Sequence, residues 1–438
     1  MRLHSALLLA LSIATTAQAA DEVHEDWQLK GQATYVGQKS KNFGARYSDR
    51  NSLNADGENS YTFTSTAYLG ARLWKGGEAY LNIEAGQGDP MSALTGLGGF
   101  SNGEATRVSG NSIKAYRQRL FVRQTWGLGD ETEYQESEFN QMAGRVAKDR
   151  FVLTAGNFSA LDIFDDNAYA KDPRTQFLNW SNMAHTAYDY GADARGFGWG
   201  FAAEWYQGDW VLRFGRMTGP KLPNGPEIDF RILRHYGDQV EIEHAHTLAG
   251  RPGKVRLLAF RNRAKLAAYT EASDWLAANP GVDAQAINHV RNGVRIKYGF
   301  GINLEQEVAD DLGWFLRAMH ADGRTETYAF TEADGSFSTG LSLKGGRWNR
   351  PDDTLGVAWM RNTISSERRD YLARGGLSFF IGDGKLAYDP EHIVETYYSW
   401  KALSGLWLTA NYQHIGNPAY NADRGPANIY SLRVHAEF

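Results

Sequence analysis

Apolar and polar residues alternate with period two along most of this chain. In "RNGVRIKYGFGINLEQEV", Val294, Ile296, Tyr298, Phe300, Ile302 and Leu304 fall on one face, while Arg295, Lys297, Asn303 and Glu305 fall on the other. Only an extended strand separates those sets, because successive side chains of a strand point to opposite sides. The final segment "NIYSLRVHAEF" repeats the pattern, with Tyr430, Leu432, Val434, Ala436 and Phe438 opposite Ser431, Arg433, His435 and Glu437. The pattern predicts 16 strands, near 27–36, 61–73, 78–87, 114–127, 139–156, 196–207, 209–217, 230–248, 253–264, 291–308, 312–321, 338–349, 353–362, 391–402, 406–416 and 428–438. A further hairpin is expected around Gly382-Asp383-Gly384, and counting it into the sheet would raise the total to 18. A short loop helix is expected from Ser273 or Asp274, broken at Pro280-Gly281.

The links between these strands alternate in length. Short turns fall at 75–77, 207–209, 250–253, 310–311, 350–352 and 403–405, with a middling one at 128–138. Long loops fill 37–60, 88–113, 157–195, 218–229, 265–290, 322–337, 363–390 and 417–427. Short turns at one end and long loops at the other mark a closed antiparallel barrel of the bacterial outer membrane, whereas a soluble sandwich has no cause for such alternation. Aromatics near the ends of outward faces, such as Trp27, Tyr35, Trp205, Trp210 and Phe438, suit interfacial girdles against lipid. The expected fold class is therefore all-β, a 16-stranded transmembrane barrel with short periplasmic turns, long extracellular loops and both termini in the periplasm.

Composition refines this picture. Met1-Arg2, the apolar run from Ala6 to Ala14 and Ala17-Gln18-Ala19 resemble an export signal with an A-x-A cleavage site, so residues 1–19 are expected to be removed, leaving 20–438 as a single barrel domain. No stretch approaches the roughly 18 uninterrupted apolar residues of a helical span. The chain has no cysteine, which excludes disulfides, thiolate metal sites and cysteine nucleophiles. A formal charge of −5 does not suggest a nucleic-acid partner. Elbow motifs of the G-x-S-x-G kind and H-E-x-x-H are absent, and no nucleophile–base pair stands out, so no enzyme is expected. A barrel enzyme, an adhesin that binds through its long loops and a soluble periplasmic sugar binder stay as weaker readings.

The same alternation assigns residues to the lumen. Among the basic ones are Arg72, Arg119, Arg123, Arg213, Arg295, Lys297, Arg317 and Arg433, and among the acids Glu204, Glu241 and Glu305. Facing ladders of opposite charge set up a transverse field, and the five fixed donors of arginine suit vicinal hydroxyls. The same charges could instead only solvate the wall and pair with one another. The stretch "DIFDDNAYAKDPRTQFLNW" (162–180) concentrates chemistry in the longest loop. Asp165, Asp166, Lys171 and Arg174 offer polar contacts there. Trp180, with Phe158, Phe164, Tyr169 and Phe177, offers either stacking faces or packing for the loop. No cofactor is expected, though the acids of 162–172 could hold calcium; the regular D-x-D-x-D-G spacing is missing.

Four stretches taken in order resemble the carbohydrate-selective porins of Gram-negative outer membranes, the OprB-like family. They are "GNFSALDIFDDNAYAKDPRTQFLNWS" (156–181), "AAEWYQGDWVLRFGR" (202–216), "EHAHTLAGRPGKVRLLAFRNRA" (243–264) and "GGLSFFIGDGKLAYDPEHIVETYYSW" (375–400). The resemblance implies a barrel passing sugars or small oligosaccharides through a narrowed lumen lined by arginines. With it, the 157–195 loop becomes the expected constriction. A general or anion-preferring porin without sugar selectivity is the alternative. Such porins occur as monomers and as trimers, and no outward strand chooses between a monomer and a homo-oligomer.

Overall fold

The computed structural model describes residues 22–438 apart from 109, 283, 284, 330 and 331; the export signal expected at 1–19 lies outside them. The strands, in chain order, are β1 (Trp27–Ser40), β2 (Asn59–Trp74), β3 (Gly77–Asp89), β4 (Gly110–Gly127), β5 (Thr132–Gln135), β6 (Gly144–Ala147), β7 (Arg150–Phe158), β8 (Gly198–Gln207) and β9 (Trp210–Met217). They continue as β10 (Tyr236–Leu248), β11 (Arg251–Lys265), β12 (Val294–Ala309), β13 (Leu312–Ala321), β14 (Gly335–Gly345), β15 (Arg350–Thr363), β16 (Glu391–Leu403), β17 (Leu406–Gly416) and β18 (Ala427–Glu437). All except β5 and β6 pair with their neighbours into one closed barrel, which β1 and β18 seal antiparallel from Gln32↔Glu437 to Ser40↔Ile429. The barrel has 16 strands. Closure leaves no edge strand, so where all sixteen strands overlap their backbone polar groups pair within the sheet, as a lipid surround requires.

The alternation read from sequence survives in three dimensions. Leu212, Phe214, Val240, Ile242, Leu257 and Phe300 are exposed on the outside, while Arg213, Glu241, Arg256 and Asn303 are buried inside. No described helix is long and apolar enough to cross a membrane. Two-residue turns make most of the connections at the short end. At Ala249-Gly250 both residues have positive φ (52° and 79°), the backbone of a tight hairpin whose twist matches the strands.

Several boundaries differ from expectation. The turns placed at 250–253 and 350–352 actually lie at 249–250 and 346–349. Pro252 and Pro351, inside the expected turns, are the second residues of β11 and β15, where a strand tolerates proline. The strand expected from 230 begins at Tyr236, and the one expected over 139–156 is broken into β6 and β7. The connection between β4 and β7 therefore runs over 128–149 and holds its own two-stranded sheet, β5–β6. No hairpin strands form around Gly382; that loop carries helix α4 (Ser366–Ala373) and irregular backbone. The loop helix α2 (Tyr269–Ala278) starts earlier than Ser273, and α3 (Ala286–Val290) follows the Pro280-Gly281 break. These helices pack on the other long loops through Tyr269, Ala272, Ile287, Tyr371, Leu372 and Tyr420.

Candidate functional site: an eyelet formed by an inward loop

The loop between β7 and β8 does not leave the barrel. Its residues 159–197 are largely buried, and one short helical turn, α1 (Trp180–Met183), is capped by the Asn179 side chain accepting from Ser181 N–H. Apolar contacts seat it against the wall. Phe177 packs edge-on to Tyr397 (4.9 Å) and against Phe315 (5.6 Å). Phe164 lies so close to Gly215 that a Cβ there would stand 2.9 Å from its ring, which explains a glycine on an inward position of β9.

Buried polar groups of the wall then hold the loop's backbone. Arg317 donates to the carbonyls of Asp165 (3.0 Å), Ala170 (2.6 Å) and Asn182 (3.0 Å), and to the Asp165 carboxylate (2.9 Å). Arg433 donates to the carbonyls of Pro173 (2.7 Å) and Gln176 (2.8 Å). From the acidic side, Glu395 accepts from Leu178 N–H (2.5 Å) and Asn182 Nδ2 (3.2 Å), Glu241 from Asp165 N–H (2.8 Å) and Glu305 from Ala168 N–H (2.8 Å). A loop crossing a barrel has no sheet partners, so wall side chains must meet its backbone hydrogen-bond demand. That is the job these residues perform.

The lumen set read from the sequence thus divides. Arg317 (1 % exposed), Arg433 (2 %) and Lys297 (1 %) do not border open space; they lie beneath the loop, and Lys297 is directed at Asp189 (3.4 Å). Arg295 reaches Glu271 of α2 and the Leu266 carbonyl at the long-loop end. Alternation found their face correctly, but that part of the interior is filled by protein. Trp180 (4 % exposed) packs edge-on to Phe100, and Phe158, Phe164 and Phe177 are equally buried, so these rings pack the loop and offer no stacking face.

The remaining open space, about 1460 Å³, runs from Lys75 and Lys401 at the short-turn end to Arg195 in the long-loop half. Thirteen basic and nine acidic side chains are among its lining, although the whole chain is net acidic. Where the inward loop faces β4, Arg119 forms a two-pronged pair with Asp162 (2.7 and 2.6 Å), and Lys171 meets Asp166 (2.5 Å). Arg174 binds Glu84 (2.7 Å) and Glu104 (2.9 Å), and Arg107 sits beside the same two acids (3.6 and 3.3 Å). Burial opposes ionisation of Asp162, but the Arg119 guanidinium outweighs it and holds the carboxyl below its usual range. The Lys171 ammonium likewise holds the Asp166 carboxyl below its usual range. Further along, Arg213 bridges Glu204 (3.1 Å), Glu241 (2.8 Å) and Glu243 (3.0 Å), and Arg256 joins Glu243 (2.7 Å) to Glu305 (3.1 Å). Of the aspartates of the 162–172 stretch that were calcium candidates, Asp162, Asp165 and Asp166 each meet a cation, and Asp172 accepts from the Arg174 backbone N–H (2.9 Å). Among the described residues no three acidic or histidine side chains converge as a metal site would need.

Sequence reading missed Glu104 and Arg107, which lie in a loop without periodicity, and Arg256. Arg256 does obey the alternation of β11, but its inward neighbours Leu258 and Phe260 are apolar and disguise that face.

The short-turn end carries a second inward feature. Residues 136–143 of the β4–β7 connection enter the barrel mouth, where Phe139 stacks on Tyr68 (4.3 Å). Arg123 donates to the Asn140 carbonyl (3.0 Å), Gln28 to those of Glu138 and Gln141 (2.9 Å each), and Arg72 to that of Ala143 (3.1 Å). Glu25 ties the segment to the first described residues, accepting from Ser137 Oγ (2.7 Å) and Ala143 N–H (2.7 Å).

A barrel with an inward loop and an ion-paired eyelet is the architecture expected from the resemblance, and comparison with known proteins decides the family. The model for the carbohydrate-selective porin, OprB family, matches residues 50–438. The chain belongs to that family. Among solved structures it is similar to Pseudomonas putida OprB at high pH, with TM-score 0.69, 16 % identity and 94 % of each chain covered. It is also similar to the low-pH structure of the same protein, with TM-score 0.50, 13 % identity and 94 % and 93 % covered. At such identity these likenesses speak to the fold. No curated protein matches its sequence. The chain is thus an outer-membrane porin of the sugar-selective family, and family and barrel together point to a channel rather than an enzyme.

Proposed function

We propose that this porin passes small sugars or oligosaccharides passively through the eyelet between Arg107 and Arg119 on the one side and the 162–174 stretch on the other. The observation that carries this is the combination of fixed donors and acceptors around one opening: Arg119 with Asp162, Lys171 with Asp166, and Arg174 with Glu84 and Glu104. A sugar entering this level exchanges hydrogen bonds to water for bonds to preorganised charged groups, each part-satisfied by its ion pair and so not gripping the solute irreversibly. Passage needs such a balance, tight enough to enter and weak enough to leave. The candidate pore-lining residues that border this space are Arg72, Arg119, Arg123, Arg213 and Glu204, with Asp165, Asp166, Lys171 and Arg174 from the loop.

In this reading residues 20–438 form one barrel with the short turns and both termini in the periplasm. The long loops face outward and the exposed apolar band meets lipid. Both a monomer and a homo-oligomer fit it. The test is reconstitution of the mature chain in planar bilayers and liposomes. Sugar-dependent reduction of ion current, with liposome swelling that falls off with sugar size, is expected; conductance indifferent to every sugar would overturn the proposal. The excess of basic lining side chains favours a second property, anion preference, read as the sign of the reversal potential in a salt gradient.

A further inference from the structure

The outside of the barrel carries an arginine cluster at a height where its neighbour strand is apolar. On β11 the outward residues Arg261, Arg263 and Lys265 pair across to Tyr298, Ile296 and Val294 of β12, all exposed. The apolar band of β12 thus continues to the level at which β11 presents three cations. One strand pair away, Arg216 of β9 faces outward opposite Asp238 of β10.

The loop before β10 adds to this rim. Arg263 donates to the carbonyl of Arg234, and Arg231 lies two residues beyond Asp229, which it clasps with two bonds (2.8 and 2.6 Å). Arg216 and Arg261 both bind Asp238 (2.7 Å each) and lie over the Tyr236 ring. Three arginines of this rim therefore share two aspartates, Arg216 and Arg261 on Asp238 and Arg231 on Asp229. Beside them stand exposed Phe230 and Leu233 (81 % exposed), with Phe230 leaning on the outward Trp199, over which Arg117 sits. Arginine on a lipid-facing surface is costly unless it reaches the interface or finds an anion. Here three rungs of cations stand beside apolar side chains that claim the same depth.

We propose that this rim binds the phosphorylated headgroup of an outer-leaflet glycolipid, phosphates on the arginines and acyl chains along Phe230, Leu233 and the apolar band below. Guanidinium groups clasp phosphate oxygens with two parallel bonds, and tyrosine and tryptophan suit the same interfacial depth. A second copy of this chain is a poorer occupant, since a two-fold contact would set arginine against arginine. The proposal rests on the reading above that the long loops face outward.

The test uses the refolded mature chain in nanodiscs doped with bisphosphorylated lipid A, with the same lipid A chemically dephosphorylated, or with phosphatidylglycerol. Bound lipid is counted by native mass spectrometry. Bisphosphorylated lipid A is expected to be retained in preference to both others. Arg234→Gln with Arg263→Gln should weaken that retention by about tenfold or more, from the loss of charge-assisted bonds. Arg361→Gln, outward on β15, should not. None of these residues lines the channel, so conductance is expected to be normal in every variant. Equal retention of the dephosphorylated lipid, wild-type affinity in the double variant, or cross-linked dimers through Phe230 would each overturn the assignment. Loss of wild-type conductance would count against the channel reading alone.

Discussion

Arg317 offers the sharpest test of how the eyelet is held. Its guanidinium is buried and makes four hydrogen bonds, three to loop carbonyls and one to the Asp165 carboxylate. Burial opposes ionisation of Asp165, yet Arg317 and the His185 contacts together hold that carboxyl below its usual range. Arg317→Met keeps the length of the side chain and removes the charge. It strands Asp165 with only His185 N–H (2.7 Å) and Asn303 Nδ2 (2.6 Å). Removing one partner of a buried pair costs about 3–5 kcal/mol, a factor of roughly 10² to several times 10³ in the equilibrium between docked and released loop. The barrel itself, closed by sixteen paired strands, should stay folded, which a heat-modifiability gel checks. Single-channel recordings should show wider and noisier openings than wild type, and liposome swelling should admit larger sugars. Adding Asp165→Asn removes the orphaned charge, so the double variant should be milder than Arg317→Met alone. Wild-type conductance, noise and size cut-off in Arg317→Met would refute the idea that this arginine holds the constriction.

Three further outcomes follow from the same geometry. His185 is fully buried 3.5 Å from Asp165, and burial pushes its pKa down to about 4, the attraction of Asp165 being insufficient to reverse it. A released loop would take up a proton near the ordinary value of about 6.5, so docking should weaken from about pH 6.5 to 4, by up to roughly 3 kcal/mol. The depressed Asp165 pKa acts in the same direction at still lower pH. Acid-induced noise that is unchanged in His185→Gln would contradict this. Arg119→Ala should leave the channel open but shift the reversal potential toward cations, and weaken sugar block about tenfold if Arg119 supplies one charge-assisted bond. Replacing 130–147 by a two-residue turn should raise conductance, because Phe139 and its neighbours no longer enter the mouth; unchanged conductance would show that this segment does not narrow the path.

Much of the fold was written locally. A period of two, an even strand number and alternating connection lengths are properties of residues near one another in sequence, and they defined the barrel, its inward faces and its long loops. Boundaries went astray where punctuation misled, as at Pro252 and Pro351, or where a connection hid a small sheet, as at 128–149. The candidate site was legible only in outline. Alternation can say that Arg317, Arg433, Glu241 and Glu395 point inward, but not what occupies the interior at their height. That depends on the path of residues 159–197, which pair with strands far along the chain: Leu178 with Glu395, Pro173 with Arg433. The sequence by itself determined which side chains enter the lumen, because strand geometry dictates it. Only the tertiary structure decided which of them clamp the loop and which face the opening, because a loop's backbone takes its hydrogen bonds from whatever wall it meets.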